Sequence, residues 1–375
     1  MLTAYPPVLN LHGGGVRMYH NIRILSGSHN VSVISFVEND QERDLLRSLD
    51  GICESVTAVQ RIPDFSPHWL SLDPFLIREF STPQMNHAIQ AVFQKKKIDA
   101  VQCEYLQMAQ YRRPRTLSIL TIIETLSDNA YAAFRAESDP LAKLKLYYRW
   151  MQMLRYEIAA TRRFDRVVTM TERDAEYLRS YAPSADIRPI PIGIDSVEFT
   201  PLSENPADSL QVAFLANFRH SPNVEAAEFL LRQIAPFFPS IRFVLPGRNV
   251  PVHLGPSENV SFPGYVEDTR ELYRRPNTIV VAPLFSGTGQ RVKLLEAFSM
   301  ACPVITTSVG AFGYPIRNGV EALIANSAEE FRAALRLLIP SQSLRSALGR
   351  NAREMIVRHF DWAQIGRQML HLFDA

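Results

Sequence analysis

Gly287, Gly289, Lys293 and Glu296 fall within ten residues of one another in "SGTGQRVKLLEAFSMACPVITTS", residues 286–308. The glycines follow an apolar run, Ile279–Leu284. An amphipathic segment and a second apolar run, Pro303–Ile305, come after them. Strand, glycine loop, helix and strand in that order present backbone amides to a phosphate. Lys293 would add a positive charge to such a cradle. Glu296, three residues on, shares nearly the same helix face and suits hydrogen bonds to ribose hydroxyls. The same spacing also describes a surface ion pair, and spacing alone leaves both open.

Other stretches carry similar signals. "LHGGGVRMYH" places Gly13, Gly14 and Gly15 between a short first strand, "MLTAYPP", and a helix starting near Val16. Glycine there serves a tight turn or a close ligand approach. The stretch is neither a G-x-G-x-x-G fingerprint nor a P-loop, so it does not predict dinucleotide or ATP binding. In "FLANFRHSPNVEAAEFLL", Asn217–Asn223 form a polar turn into a helix beginning near Val224. Pro222 and Asn223 suit a helix start, while Arg219 and His220 stand at a strand's C-terminal end, facing either phosphate or solvent.

These residues need a scaffold of strands that end together. Short apolar runs alternate with helix-length segments along all 375 residues. Candidate strands are Val31–Phe36, Ile98–Cys103, Leu117–Ile123 and Arg166–Thr171, then Val212–Ala216, Ile241–Leu245, Ile279–Leu284 and Val304–Thr307. Helical stretches include His87–Lys97, Glu225–Ala235 and Leu294–Met300. The alternation predicts an α/β protein whose parallel sheets are covered on both faces. Val59–Pro83, with four prolines and no clear period, reads as an irregular excursion. The polar stretch Asp195–Gln211 marks a domain boundary. It predicts two doubly wound domains, residues 1–198 and 208–355, facing one another across a ligand cleft.

Composition bounds the function. Apolar content is 46% and charged content 21%, which suits a well-packed globular chain. Lys plus Arg number 40 against 38 Asp plus Glu, so no global field favours nucleic acid. Cys53, Cys103 and Cys302 form no disulfide framework or zinc spacing, and no set of His, Asp and Glu falls at metal-ligand spacing. No apolar run is long enough to span a bilayer and the N-terminus has no signal-peptide pattern, which together predict a cytoplasmic protein.

One segment departs from neutrality. From Tyr111 to Arg166, Lys plus Arg number 11 against 6 acidic residues. Within Pro140–Phe164, Tyr147, Tyr148, Trp150 and Tyr156 interleave with Lys143, Lys145, Arg149 and Arg155. This reads either as peripheral contact with the inner face of an anionic membrane through 140–164 or as a long core helix with snorkelling cations.

Taken in order, "PIPIGIDSVEFTP", "ANFRHSPNVEAAEF", "PGYVEDTRELY" and "APLFSGTGQRVKLLEAFSMACPVITTSVGAFGY" resemble the GT-B-fold glycosyltransferases of family 4, glycosyl transferases group 1. "YPPVLNLHGGGVRMYHNIRILS" and "TRRFDRVVTMTERDAEYL" look like that family's first loop and last N-domain strand and helix. The resemblance implies two Rossmann-like domains, the second binding a nucleotide-sugar donor and the first an acceptor. A last helix, about Trp362–Phe373 within 356–375, would return to the N-terminal domain. Glu296 matches the second glutamate of the family's E-x7-E motif, which holds the donor ribose. Gly287 and Gly289 match the loop facing the sugar and diphosphate. Gly264, Tyr265 and Val266 look like the segment that meets the base, and Gly14 and Gly15 like the N-domain loop that closes on the phosphates.

Thr288 stands where the first glutamate of E-x7-E would fall. Residues 283–297 follow a variant, P-L-x-x-G-x-G-x-x-x-K-x-L-E-A, in which Lys293 takes over diphosphate charge. In "LTIIETLSDNAY" the family's histidine is absent, and Glu124 is either the residue that polarises the acceptor or a loop cap. The resemblance thus implies a retaining, metal-independent hexosyltransferase that uses a nucleotide sugar as substrate and no cofactor. Its acceptor would be a glycan, a lipid-linked sugar or a small molecule. Thr288 and the missing histidine leave a catalytically silent GT-B protein as the alternative.

Overall fold

The computed structural model describes residues 1–9, 13–62, 71–201, 209–274, 277–287 and 289–374. The chain divides into two compact units, Met1–Pro191 with Ile365–Ala375, and Ile192–Gln364.

The first unit is built on seven parallel strands: β1 Leu2–Thr3, β2 Ser32–Val37, β3 Ser55–Gln60, β4 Ala100–Glu104, β5 Leu117–Ile122, β6 Arg166–Thr169 and β7 Ile187–Pro189. Their order is β3-β2-β1-β4-β5-β6-β7, with Leu2 registered against Ile34 on one side and Cys103 on the other. Alternation along β2 shows both faces covered: Ile34 and Phe36 join one apolar cluster, Val33 and Val37 the other. The helix Gly13–Ser26 follows β1 and carries Arg17, which is wholly buried. Its guanidinium lies 3.5 Å from the buried Glu104 carboxylate and 3.5 Å from the Ile190 carbonyl, tying helix to sheet. Burial raises the Glu104 carboxyl above the usual carboxylate range, and Arg17 opposes that rise.

The second unit repeats this winding. Its strands are β8 Gln211–Ala213, β9 Ala216–Asn217, β10 Arg242–Val244, β11 Gly247–Arg248, β12 Val260–Ser261, β13 Thr278–Ala282, β14 Val304–Thr306 and β15 Leu323–Ile324. Six form a sheet in the order β12-β10-β8-β13-β14-β15, and β9 pairs with β11 beyond it. The winding direction reverses between β8 and β13, where an open parallel sheet leaves its ligand crevice. The chain segments following those two strands lead to the helices Ser221–Phe229 and Val292–Ser299.

Several local expectations change. β3 was not expected, and its last residues, Val59 and Gln60, begin the stretch read as an irregular excursion. Of that stretch, residues 63–70 lie outside the described residues, as do 202–208 of the polar boundary and Thr288. The helix expected near Val16 starts at Gly13, and the one expected near Val224 starts at Ser221, with Pro222 in its first turn. The segment Glu225–Ala235 is not one helix: it passes into a π-turn at Leu230–Ile234 and a 3-10 turn at Ala235–Phe237, where Pro236 provides no amide. The helix expected at His87 begins at Pro83, capped by Thr82, whose Oγ1 accepts from Met85 N at 3.2 Å.

The helix Gln342–His359 packs along Val292–Ser299 and fixes its position. A Cβ at Gly349 would stand 2.0 Å from the Ala301 carbonyl oxygen, a backbone atom that cannot swing aside. Gly349→Ala is therefore expected to destabilise the protein by about 1–3 kcal/mol, read as a lower urea midpoint. An unchanged midpoint would contradict this close contact.

Candidate functional site

The loop after β13 has two glycines in the left-handed region, Gly287 at φ +92° and Gly289 at φ +79°. Residues with a Cβ resist that conformation, which explains glycine at both positions. The Arg291 guanidinium donates back to the Gly287 carbonyl at 2.7 Å and the Ser286 carbonyl at 3.3 Å, pinning the loop. Tyr314 Oη in turn donates to the Arg291 carbonyl at 2.7 Å. Val292–Ser299 follows with no side-chain cap at its N-terminus, so its first amides meet no capping side chain.

Lys293, in the first turn of this helix, is half-buried. Its Nζ lies 4.3 Å from the centre of the Phe214 ring and donates to Asn223 Oδ1 at 2.8 Å. Burial, with Arg291 nearby, pushes the ammonium down to about 7. Asn223 is held by its own bond to the Asn217 carbonyl, at 2.7 Å. Ser286 Oγ donates to Glu225 Oε2 at 3.2 Å. These contacts bring the glycine loop and the turn before Ser221–Phe229 to one place at the sheet's switch point.

Arg219 and His220 lie in that turn and are exposed. His220 occupies the N-cap position without a capping side-chain bond. Glu296 sits one turn beyond Lys293. Burial pushes its carboxyl up to about 7, against the Thr269 and Tyr273 hydroxyls and Lys293, which pull it down. Its Oε2 is shielded from solvent and, among the described residues, has no hydrogen-bond partner.

Gly264 is also left-handed, at φ +86°, and its carbonyl accepts from Gly247 N at 2.8 Å beside β11. Tyr265 is exposed and carries the Arg248 guanidinium 3.7 Å from its ring centre, while Val266 is half-buried.

In the first unit, Gly14 and Gly15 belong to the opening turn of Gly13–Ser26 rather than to a loop, and none of Gly13–Gly15 has positive φ. Glycine there opens a helix in place of the tight turn. Glu124 is exposed and accepts from Asn129 Nδ2 at 3.0 Å. It does not cap the following helix. Glu157 does, accepting from Leu126 N at 3.0 Å and Ser127 N at 3.2 Å. Burial pushes the Glu157 carboxyl up to about 7.

Arg291, Asn223, Thr269 and Tyr273 escaped the reading of motifs. Arg291 had the clearest signal, a second cation two residues before Lys293. The other three reach the site through long-range contacts that no local spacing announces.

Residues 209–340 match the family model for glycosyl transferases group 1. The match lies wholly within the second unit. Gly287, Gly289, Lys293, Glu296 and the turn at Arg219 and His220 all fall inside the matched region. Across almost the whole chain, the fold is that of GT-B glycosyltransferases. Sucrose-phosphate synthase from Thermosynechococcus elongatus superposes with a TM-score of 0.75 at 18% identity, over 99% of this chain and 97% of that one. Anabaena HepE, solved with UDP and glucose, superposes with a TM-score of 0.70 at 15% identity, over 99% and 98%. An uncharacterized 44.6 kDa protein in the cps region of Klebsiella pneumoniae is 21% identical over 84% of each chain.

Glu296 and Lys293 contribute opposite limbs to a pH dependence, and Glu157 adds to the acid one. Glu296 titrates near 7 when folded against 4.5 when unfolded, so its contribution is complete below 4.5 and is lost as pH rises through 7. Lys293 titrates near 7 against 10.5, so stability is recovered as pH rises from 7 towards 10.5. Chemical denaturation across this range is expected to show their combined contribution lowest near pH 7. Glu296→Gln should flatten the acid limb and Lys293→Met the alkaline one. Profiles unaltered by either change would refute the assignment.

Proposed function

We propose that the chain is a retaining glycosyltransferase of family 4. In this reading it moves a hexose from a nucleotide-diphosphate sugar to a glycan, lipid-linked or small-molecule acceptor in polysaccharide biosynthesis. The observation that carries the proposal is the left-handed pair Gly287 and Gly289, the first pinned through its carbonyl, ahead of a helix with no side-chain cap and Lys293 in its first turn. The pair lies at the switch point of a sheet within the group 1 match. That combination suits a diphosphate, because oriented amides and a poorly solvated cation gain most from a dianionic group. HepE's complex with UDP and glucose supports a nucleotide-sugar donor.

In the reaction the bond from the anomeric carbon to the diphosphate oxygen breaks, and its electron pair leaves with the diphosphate. The acceptor oxygen bonds the anomeric carbon on the same face, and its proton passes to the departing phosphate oxygen. The Gly287 and Gly289 amides, Lys293 and Arg291 stabilise the developing charge. Glu296 receives ribose hydroxyls on its unpartnered Oε2. Gly264–Val266 meet the base, and Arg219 and His220 border the phosphates. In the first unit, Gly14 and Gly15 offer helix-start amides, and Glu124, steadied by Asn129, is assigned to the acceptor hydroxyl. Thr288 takes the place of the motif's first glutamate. With cations meeting the diphosphate, turnover is expected to persist in chelator.

A thermal-shift screen over UDP, GDP, ADP and dTDP sugars should raise Tm for one base only. With that donor, Lys293→Met is expected to weaken binding about tenfold, about 1.4 kcal/mol. Release of free nucleoside diphosphate in the presence of an acceptor distinguishes a transferase from a silent binder. Absence of a shift with every donor would overturn the proposal.

A further inference from the structure

The helix Pro140–Arg163 carries an apolar stripe that the first unit leaves uncovered. Leu141, Leu144, Tyr148 and Met151 recur at intervals of three, four and three residues, which places them along one side of the helix. They are 73, 66, 48 and 41% exposed, whereas apolar side chains of this size ordinarily face a core. Farther down the same helix, Tyr156 and Ala160 are buried, so the exposed stripe is not a general property of the helix. Trp150 packs at 4.8 Å from Tyr131 and stacks on Phe134 at 6.0 Å, which holds the helix to its neighbour Leu126–Ala136.

Charge decides what covers the stripe. From Pro140 to Tyr156 the sequence contains no Asp or Glu. Lys143 is engaged with the Glu137 carbonyl and Arg155 with the Leu72 carbonyl and Asp73. Lys145 and Arg149 flank the stripe and, among the described residues, have no ion-pair or hydrogen-bond partner. A second copy of this helix would bring like charges together along the seam, which disfavours self-pairing. An anionic bilayer accepts both features at once, apolar side chains at the acyl boundary and cations at the phosphates.

We propose that this face, Leu141, Leu144, Tyr148 and Met151 with Lys145 and Arg149, docks the protein on an anionic membrane surface. The docking is independent of sugar transfer and needs neither donor nor turnover. The test is co-sedimentation of the full chain with vesicles of phosphatidylcholine alone or mixed with phosphatidylglycerol. The wild type is expected in the pellet only with the mixed vesicles, with recovery falling as salt rises. Neutralising both cations, Lys145→Gln with Arg149→Gln, should weaken binding about twenty-fivefold at about fivefold per cation. Leu141→Ser with Leu144→Ser should weaken it at least about tenfold by removing the apolar part. Arg232→Gln, an exposed cation of the other unit, should change nothing. All variants should keep the wild-type Tm and nucleotide response, which separates this face from the donor site. The proposal is overturned if the protein stays in the supernatant with both vesicle types, or if Arg232→Gln weakens binding as much as the stripe variants. It is equally overturned if light scattering shows a dimer that the leucine substitutions dissolve.

Discussion

The lysine ammonium held over the ring of Phe214 is the constraint around which the switch point of the second unit is arranged. A cation brought out of water is disfavoured unless something compensates, and here the compensation is partial: a ring face and one amide oxygen. Among the described residues, no carboxylate stands in ion-pair contact with Lys293. Its lowered proton affinity follows directly. An anion entering beside it would restore the charged form and gain more from it than from a solvated lysine. Glu296 is the mirror case one turn away, a carboxyl whose proton is retained by burial and whose Oε2 lacks a donor. The helix therefore carries two polar groups whose requirements are unmet in the protein alone.

Such groups are useful only where the surrounding backbone does not relax to satisfy them. Arg291 locks the loop through the Gly287 carbonyl, Tyr314 holds the Arg291 carbonyl, and Asn217 holds Asn223, which positions Lys293. Gly349 lets a neighbouring helix approach the backbone at Ala301, just past the end of Val292–Ser299. The site's arrangement is thus set by contacts remote from any ligand, and its polar groups are held ready in advance.

How much of this was legible from sequence follows from the range of each interaction. The continuous apolar run of β13 announced itself, since burial on both faces demands such runs. β3, "SVTAVQ", did not: alternating polar residues at an edge position leave no such run, and only pairing with β2 makes it a strand. The glycine loop, Lys293 and Glu296 were visible because their chemistry is written within ten residues. Asn223 lies 70 positions from Lys293, and Glu157 lies 30 from the Ser127 amide it caps, so both were hidden from local patterns. Helix starts were misplaced by three residues where Gly13 and Ser221 begin a helix ahead of the first apolar-periodic position.

The two units share a winding order yet resolve their switch points differently. In the first, the cation at the ends of the strands, Arg17, is fully buried and meets Glu104, so its charge is answered internally. In the second, the corresponding region presents left-handed glycines and Lys293 without a carboxylate partner. A buried ion pair fixes structure but offers little to an anion, because the field of the cation is already cancelled nearby. An under-compensated cation leaves its field uncancelled. The same topology thus yields an internally compensated cation at one switch point and an under-compensated one at the other. The difference rests on a few side chains rather than on the fold.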